Sequence, residues 1–305
     1  MPIKIPDDLP VRRKLEAEGV IVMREADAVR QDIRPLRVGL LNLMPNKITT
    51  EMQIARLLAS TPLQIELTLV RITGHVPRTT PADHMASFYR PWSDVQSERF
   101  DGFIITGAPV ERLPFEAVTY WSELRRVFDW TQTHVHRSFT ICWAAQAAVH
   151  HFHDMPKHNL PAKASGVFRQ RNLAPTSPYL RGFSDDFSLP VSRWTEVREA
   201  DIPSDSGMVV LSDSRETGLC LLDDARHRSL HIFNHIEYDT TSLADEYSRD
   251  ALAQEGMPVP ANYFPNDDPT LPPENRWRSH AHLLFGNWIN DIYQTTPFDM
   301  GEIGR

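Results

Sequence analysis

Cys142 closes an apolar run, Phe139-Thr140-Ile141, and opens an alanine-rich one, Trp143-Ala144-Ala145. That is the pattern of a strand turning sharply into a helix. A nucleophile at such a turn is pushed clear of the sheet, provided that its neighbours are small. Ala144 and Ala145 meet that condition on the helix side. A helix N-terminus also favours thiolate over thiol and offers backbone N–H groups to an oxyanion. A lone cysteine is more often an inert core residue, and Cys220, within Leu219-Cys220-Leu221-Leu222, reads as one. What distinguishes Cys142 must come from its partners.

The candidate partners are in His235-Ile236-Glu237, which follows an apolar strand at 229–233. In extended backbone, residues i and i+2 point the same way, so His235 and Glu237 are expected to face one crevice. The histidine would take the thiol proton, and the carboxylate would orient the ring and stabilise its charged form. With 13 histidines and 40 acidic residues in the chain, such pairs also arise by chance. The motif gains meaning only if the fold brings it to Cys142.

The elements that would do so alternate along the first half. A near-continuous apolar run at 36–43 reads as a strand buried on both faces. Thr50-x-x-Gln53 reads as a capping box opening a helix through 58, and a strand follows at 63–72. Strand 102–106, helix 120–135, strand 138–141 and helix 143–151 continue the series, which implies a parallel sheet. Residues 73–100 form a long connection with aromatics Phe88, Tyr89 and Trp92. In the second half, short strands at 209–212, 218–222 and 230–233 suggest an antiparallel extension, and helices at 242–254 and 277–293 close the chain. The fold class is α/β with a mixed sheet flanked by helices. Residues 1–35 read as an N-terminal arm with a short charged helix at 12–18, and residues 36–305 as a single α/β domain.

The chain has 305 residues and a formal charge of 32 − 40 = −8. An acidic balance argues against a general nucleic-acid binder, which needs a basic surface. Two cysteines make no disulfide framework and no paired CxxC zinc spacing, so no metal is expected. No run approaches the ~20 apolar residues of a membrane span, and the N-terminus has no apolar signal region. A cytoplasmic protein without membrane contact is the expectation. Proline is frequent (24) and glycine scarce (13), which points to stiff, ordered loops.

A strand–Cys–helix elbow, a later His-x-Glu and a βαβ frame together resemble the flavodoxin-like, class I glutamine amidotransferase fold. Those amidotransferases usually have Gly two residues to either side of the cysteine, whereas this chain has Thr140 and Ala144. Cys142-Trp143-Ala144-Ala145-Gln146-Ala147-Ala148 and Leu41-Asn42-Leu43-Met44-Pro45-Asn46-Lys47 closely resemble the homoserine O-acyltransferases of methionine biosynthesis. So do Phe233-Asn234-His235-Ile236-Glu237-Tyr238 and Asn275-Arg276-Trp277-Arg278. The resemblance runs from about residue 2 to 293.

The resemblance implies that Cys142 accepts an acyl group from acyl-CoA and passes it to the hydroxyl of L-homoserine, with His235 as base and acid and Glu237 as its orienting partner. Two half-reactions through one thioester make a ping-pong scheme. It further implies Arg249 as the ligand of the substrate carboxylate, Lys163 and Ser192 as substrate-contacting residues, and a homodimer. Lys47 is expected to help bind or polarise the acyl group. The position of Glu111 is associated with donor choice, glycine accompanying succinyl-CoA and glutamate acetyl-CoA. A second carboxylate would repel the free carboxylate of a succinyl group. Ala108-Pro109-Val110-Glu111 therefore points to acetyl-CoA as co-substrate, with no resident cofactor, and leaves succinyl transfer as the alternative. The alternative for Glu111 itself is a salt bridge to Arg112 or another cation, outside the pocket. A glutamine amidotransferase-type hydrolase or thiol peptidase, and a binding protein without activity, are the competing classes. The amidotransferase departures weigh against the first, and retention of Cys142, His235 and Glu237 against the second.

Overall fold

The computed structural model describes residues 3–6, 8–18, 22–23, 34–75, 79–253 and 256–304. Among these residues, one mixed sheet of twelve strands runs through both halves of the chain. Its parallel part is built from β1 (Ile3–Lys4), β2 (Val22–Met23), β3 (Leu36–Leu41), β4 (Ile65–Arg71), β6 (Phe100–Ile105), β7 (Val135–Ile141) and β12 (Ser229–Ile232), in the order β2-β1-β4-β3-β6-β7-β12. The short β5 (Arg90–Pro91) pairs with β4 off this path. Beyond β12 the pairing turns antiparallel, through β11 (Gly218–Asp224), β10 (Val209–Ser214), β8 (His158–Asn172) and β9 (Asp186–Glu196).

The central strands are buried at almost every position, β6 at all six, because helices cover both faces. On one face α2 (Lys47–Leu58) and α8 (Arg278–Thr295) pack Ile54, Leu58, Phe285 and Trp288 against Val38, Leu40 and Phe139. On the other, α5 (Trp121–His134) and α6 (Trp143–His153) pack Leu124, Phe128 and Ala147 against Phe103 and Ile105. These βαβ units, the parallel sheet and the antiparallel extension are as the hydrophobic pattern predicts.

Three readings change. Helix α2 starts one turn before the Thr50–Gln53 box, because the Asn46 side chain accepts the Thr49 N–H (3.4 Å) and caps it. Thr50 lies inside the helix, and its hydroxyl donates back to the Asn46 carbonyl. Residues 73–100 hold two short helices, α3 (Ala82–Phe88) and α4 (Trp92–Val95), with 76–78 outside the described residues. The residues expected as an arm contribute to the sheet and core. Ile3–Lys4 pairs in parallel beside β4, while Ile5, Leu9, Val11 and Leu15 are buried, the last two on α1 (Val11–Ala17); 19–21 and 24–33 lie outside the described residues.

The long hairpin β8–β9 has no counterpart in the sequence reading. Pro161 and a run of polar and small residues hide its alternation. Between Asn159 and Ala164 its register shifts, which is how a bulge re-aims a side chain. Gly166 lies in the same hairpin at φ +149°, where a Cβ would sit 2.3 Å from the Ala261 carbonyl oxygen. Only glycine lets the 257–264 segment run this close to β8. Helix α7 (Ser242–Ala253) begins just after the turn that follows β12, and the expected residue 254 is outside the described residues.

Candidate active site

Cys142 sits between β7 and α6 at φ 54°, ψ −117°, a region that L-residues rarely adopt. Holding it there costs of order 1–3 kcal/mol. The conformation is fixed from both sides. The Cys142 N–H donates to the Ile232 carbonyl of β12 (2.7 Å), and the first turn of α6 closes on the Cys142 carbonyl. A Cβ at Gly107 would lie 3.1 Å from the Cys142 Cβ, so any larger residue after β6 would press on the elbow. Ala144, where the amidotransferases have glycine, is fully buried, and Thr140 bonds the His231 ring (2.7 Å) rather than the elbow.

His235 and Glu237 stand in a turn, not the extended segment expected. The Tyr238 N–H closes that turn on the His235 carbonyl (3.3 Å), and the His235 N–H donates to the Pro190 carbonyl on β9 (3.0 Å). The pairing survives the change of backbone: His235 Nδ1 and Glu237 Oε1 are 2.7 Å apart, both side chains nearly buried. The ring faces the cavity, and Glu237 sits behind it instead of beside it. Tyr238 stacks on the His235 ring at 4.1 Å, which fixes its plane. Burial alone would lower the His235 pKa. The negative charges of Cys142 and Glu237, with hydrogen bonds to both, outweigh it and raise the pKa well above the ordinary value.

The two cysteines differ as the sequence suggests. Cys142 keeps 8 % of its surface open to the cavity and Cys220 none. Burial pushes the Cys220 thiol up to about 12.

The cavity has a volume of about 450 Å³ and brings together Cys142, His235, Glu111, Lys163, Ser192 and Arg249. Lys163 comes from the β8 irregularity and Ser192 from β9. Glu246, which the sequence reading missed, ties this wall together. It accepts hydrogen bonds from the Ser192 hydroxyl and the Tyr238 hydroxyl (2.5 Å), with Lys163 Nζ at 3.4 Å. Burial works to raise its pKa, and Lys163, His235 and those two hydroxyls bring it below the ordinary value. Lys163 also binds Asp250 (2.7 Å), which holds Arg249 Nε (2.9 Å). The sign that could have found Glu246 is its spacing: it stands three residues before Arg249 on one helix face.

Glu111 lines the cavity, and Arg112 does not pair with it but lies over the Trp194 ring at 4.6 Å. The charge of Glu111 is felt by Lys157. Arg112 and Arg249, both largely exposed, mark the mouth. Lys47 is not in the cavity. It is buried beneath the Met44–Pro45 loop, with its ammonium donating to the Asn42 and Met44 carbonyls. Burial brings its pKa down to about 8, opposed by Glu51. Its place is under the loop, as a support, away from the cavity lining.

A second buried residue outside the sequence reading, Arg193, donates to the Phe233 carbonyl (3.1 Å) and the Asn234 side chain (2.7 Å), and so pins the strand end that leads into His235. Among the described residues, no helix is long and apolar enough to cross a membrane.

The model of a family described as homoserine O-succinyltransferase matches residues 2–298. The chain is 77% identical over 305 residues, all of both chains, to proteins of Brucella canis and Brucella suis, each named homoserine O-acetyltransferase. Among solved structures it is similar to a glutamine amidotransferase from Thermotoga maritima, at TM-score 0.56 and 10% identity over 86% of this chain and 100% of that one. A glutamine amidotransferase from Methylobacillus flagellatus matches at TM-score 0.52 and 14% identity over 85% of this chain and 95% of that one. These two likenesses concern the fold alone, which is that of the glutamine amidotransferases.

Proposed function

The chain belongs to the homoserine O-succinyltransferase family, and on that premise we propose that it transfers an acetyl group from acetyl-CoA to L-homoserine through an acetyl-thioester on Cys142. The observation that carries this reading is the shared cavity: nucleophile, base, carboxylate-binding cation and Glu111 line one space.

In the first half-reaction the Cys142 sulfur attacks the thioester carbonyl of acetyl-CoA. The backbone N–H of Trp143, first residue of α6 and without an intrahelical acceptor, supplies charge stabilisation to the oxyanion. The bond to the CoA sulfur breaks, and the His235 imidazolium protonates that sulfur as it leaves. In the second half-reaction neutral His235 takes the proton of the homoserine hydroxyl, whose oxygen attacks the acetyl carbon. Cys142 leaves as thiolate beside the re-formed imidazolium, and O-acetyl-L-homoserine departs. Glu237 keeps the tautomer and charge of the ring through both halves.

Homoserine brings one negative and one positive group, and the Lys163–Glu246–Asp250–Arg249 array has the matching charges. Arg249, with its guanidinium exposed at the mouth, takes the carboxylate in a two-pronged contact, and Glu246 stands where an ammonium would be held. The acetyl donor is supported by Glu111 and by the names of the relatives at 77% identity, while the family description names the succinyl donor. A glutamate in the cavity wall sets like charge against a succinyl carboxylate.

The test is release of free CoA thiol from L-homoserine with acetyl-CoA or succinyl-CoA. Faster release with acetyl-CoA is expected. Faster release with succinyl-CoA would sink the donor assignment, and no release with either would sink the transfer reaction.

A further inference from the structure

We propose that His153, Asp224 and His227 form a binding site for a late first-row divalent metal ion such as Zn2+, remote from the cavity, with His231 behind it as a further nitrogen donor. His153 ends α6, the helix that begins at Cys142, and lies about 16 Å along its axis from the elbow, at 1.5 Å per residue. Asp224 ends β11, His227 occupies the turn to β12, and His231 is on β12. Two elements that meet at the cavity thus meet again at this second place.

The donor atoms converge. His153 Nε2 is 2.6 Å and His227 Nδ1 2.8 Å from the same oxygen, Asp224 Oδ2, and the three lie within 4.8 Å of one another. The other oxygen, Oδ1, accepts the His227 N–H (3.2 Å), so the carboxylate is turned to present Oδ2. Phe152 stacks on His227 at 4.2 Å and the His153 ring meets it edge-on at 4.9 Å, which sets both planes. Around a tetrahedral ion at about 2.0–2.1 Å, such donors stand roughly 3.3 Å apart. Opening the present contacts to that spacing takes about 0.5 Å at His227 and about 0.7 Å at His153, and His227 is on a turn and partly open to solvent.

His231 is the observation that separates an ion site from a hydrogen-bonded cluster. It is fully buried, and its Nδ1 is engaged by Thr140 Oγ1 (2.7 Å). Its Nε2 stands 3.9 Å from Asp224 Oδ2, beyond hydrogen-bond reach, and has no hydrogen-bond partner among the described residues. With the proton on Nδ1, a lone pair faces a carboxylate oxygen across a gap. With it on Nε2, a buried donor goes unused. A cation on the Oδ2 side resolves both, and an engaged outer nitrogen is what a metal-bound histidine has. The set of two or three imidazoles and one carboxylate, with no thiolate, is borderline in softness and suits Zn2+ and its neighbours better than Ca2+ or Mg2+. Sequence spacing hides it, because His153 is 71 residues from Asp224. Held there, an ion would clamp the far end of α6 to the β11–β12 turn.

The test uses the full chain carrying Cys142→Ala, so that the cavity thiol cannot capture metal, stripped with a chelator and titrated with Co2+ and then Zn2+. One equivalent of Co2+ is expected, with the visible bands of a four-coordinate nitrogen–oxygen site and no sulfur charge-transfer band. Zn2+ should displace it and raise the thermal midpoint. His153→Gln and His227→Gln should each weaken binding by a factor of ten to a hundred. His227 is on a surface turn, so if His153→Gln does not fold, His227→Gln alone decides. Absence of Co2+ bands and of any thermal shift at millimolar metal would overturn the proposal. So would unchanged affinity in His227→Gln.

Discussion

The wall of the cavity made by the parallel strands and the wall made by the β8–β9 hairpin and α7 are held by different forces. On the first, Cys142 is positioned by backbone alone: a buried strand end, a residue at positive φ and a helix start. On the second, Lys163, Ser192, Glu246, Arg249 and Asp250 position one another through hydrogen bonds and charge. The first is rigid because the core under it is apolar. The second is balanced: two cations and two anions stand there before any substrate arrives. His235 belongs to both: it follows β12, which pairs parallel to β7, and its own N–H donates to the Pro190 carbonyl on β9. A reaction that must make and break bonds uses the backbone-held wall, and recognition of a small zwitterion uses the charge-held one.

If that division is right, changes on the two walls differ in kind. Cys142→Ala should give the largest effect, a loss of turnover by about 10³-fold or more, with no acetyl adduct in the intact mass after acetyl-CoA alone. An adduct persisting in that variant would move the nucleophile elsewhere. Glu237→Gln keeps shape and removes charge, and kcat should drop by roughly 10²–10⁴-fold with little change in KM for homoserine. A change confined to KM would place Glu237 in binding.

Arg249→Ala should do the reverse, raising KM for homoserine by roughly ten- to a hundredfold while the acetyl adduct forms at the parental rate. Slowed adduct formation would show that the charge-held wall also acts in the first half-reaction. Glu111→Gly should move donor preference toward succinyl-CoA by about tenfold, from relief of like-charge contact; an unmoved ratio removes Glu111 as selector. Smallest in effect, Cys220 should resist iodoacetamide at pH 8, because its thiol titrates near 12 and has no open surface. One label per chain, lost in Cys142→Ala, is the expected count.

The two walls were also unequally legible in the sequence. Apolar runs ending in punctuation disclose buried parallel strands, so β3, β6, β7 and the elbow at Cys142 could be placed from pattern alone. The hairpin strands β8 and β9 could not, since Pro161 and a mixture of exposed and buried positions break the alternation that marks a strand. Lys163 and Ser192 were therefore reached only through resemblance. Lys47 misled because a lysine after Pro45 and Asn46 reads as a loop side chain, whereas Asn46 starts a helix there and carries Lys47 inward. The His235–Glu237 pair is legible from its i, i+2 spacing, but a tight turn and not extended backbone delivers the 2.7 Å approach.

The pairing of Ile232 with Ile141, continued by the Cys142 N–H on the Ile232 carbonyl, has a consequence for how such a chain tolerates insertions and deletions. Thiol and imidazole lie 93 residues apart (235 − 142), yet their alignment rests on one ladder between two short strands. Length added in the turn before β12 is taken up by an exposed loop. One residue gained or lost between Ile232 and His235 shifts everything after the ladder by a full step. Phe233 and Asn234 are thus the stretch in which descent can exchange side chains but cannot change the count.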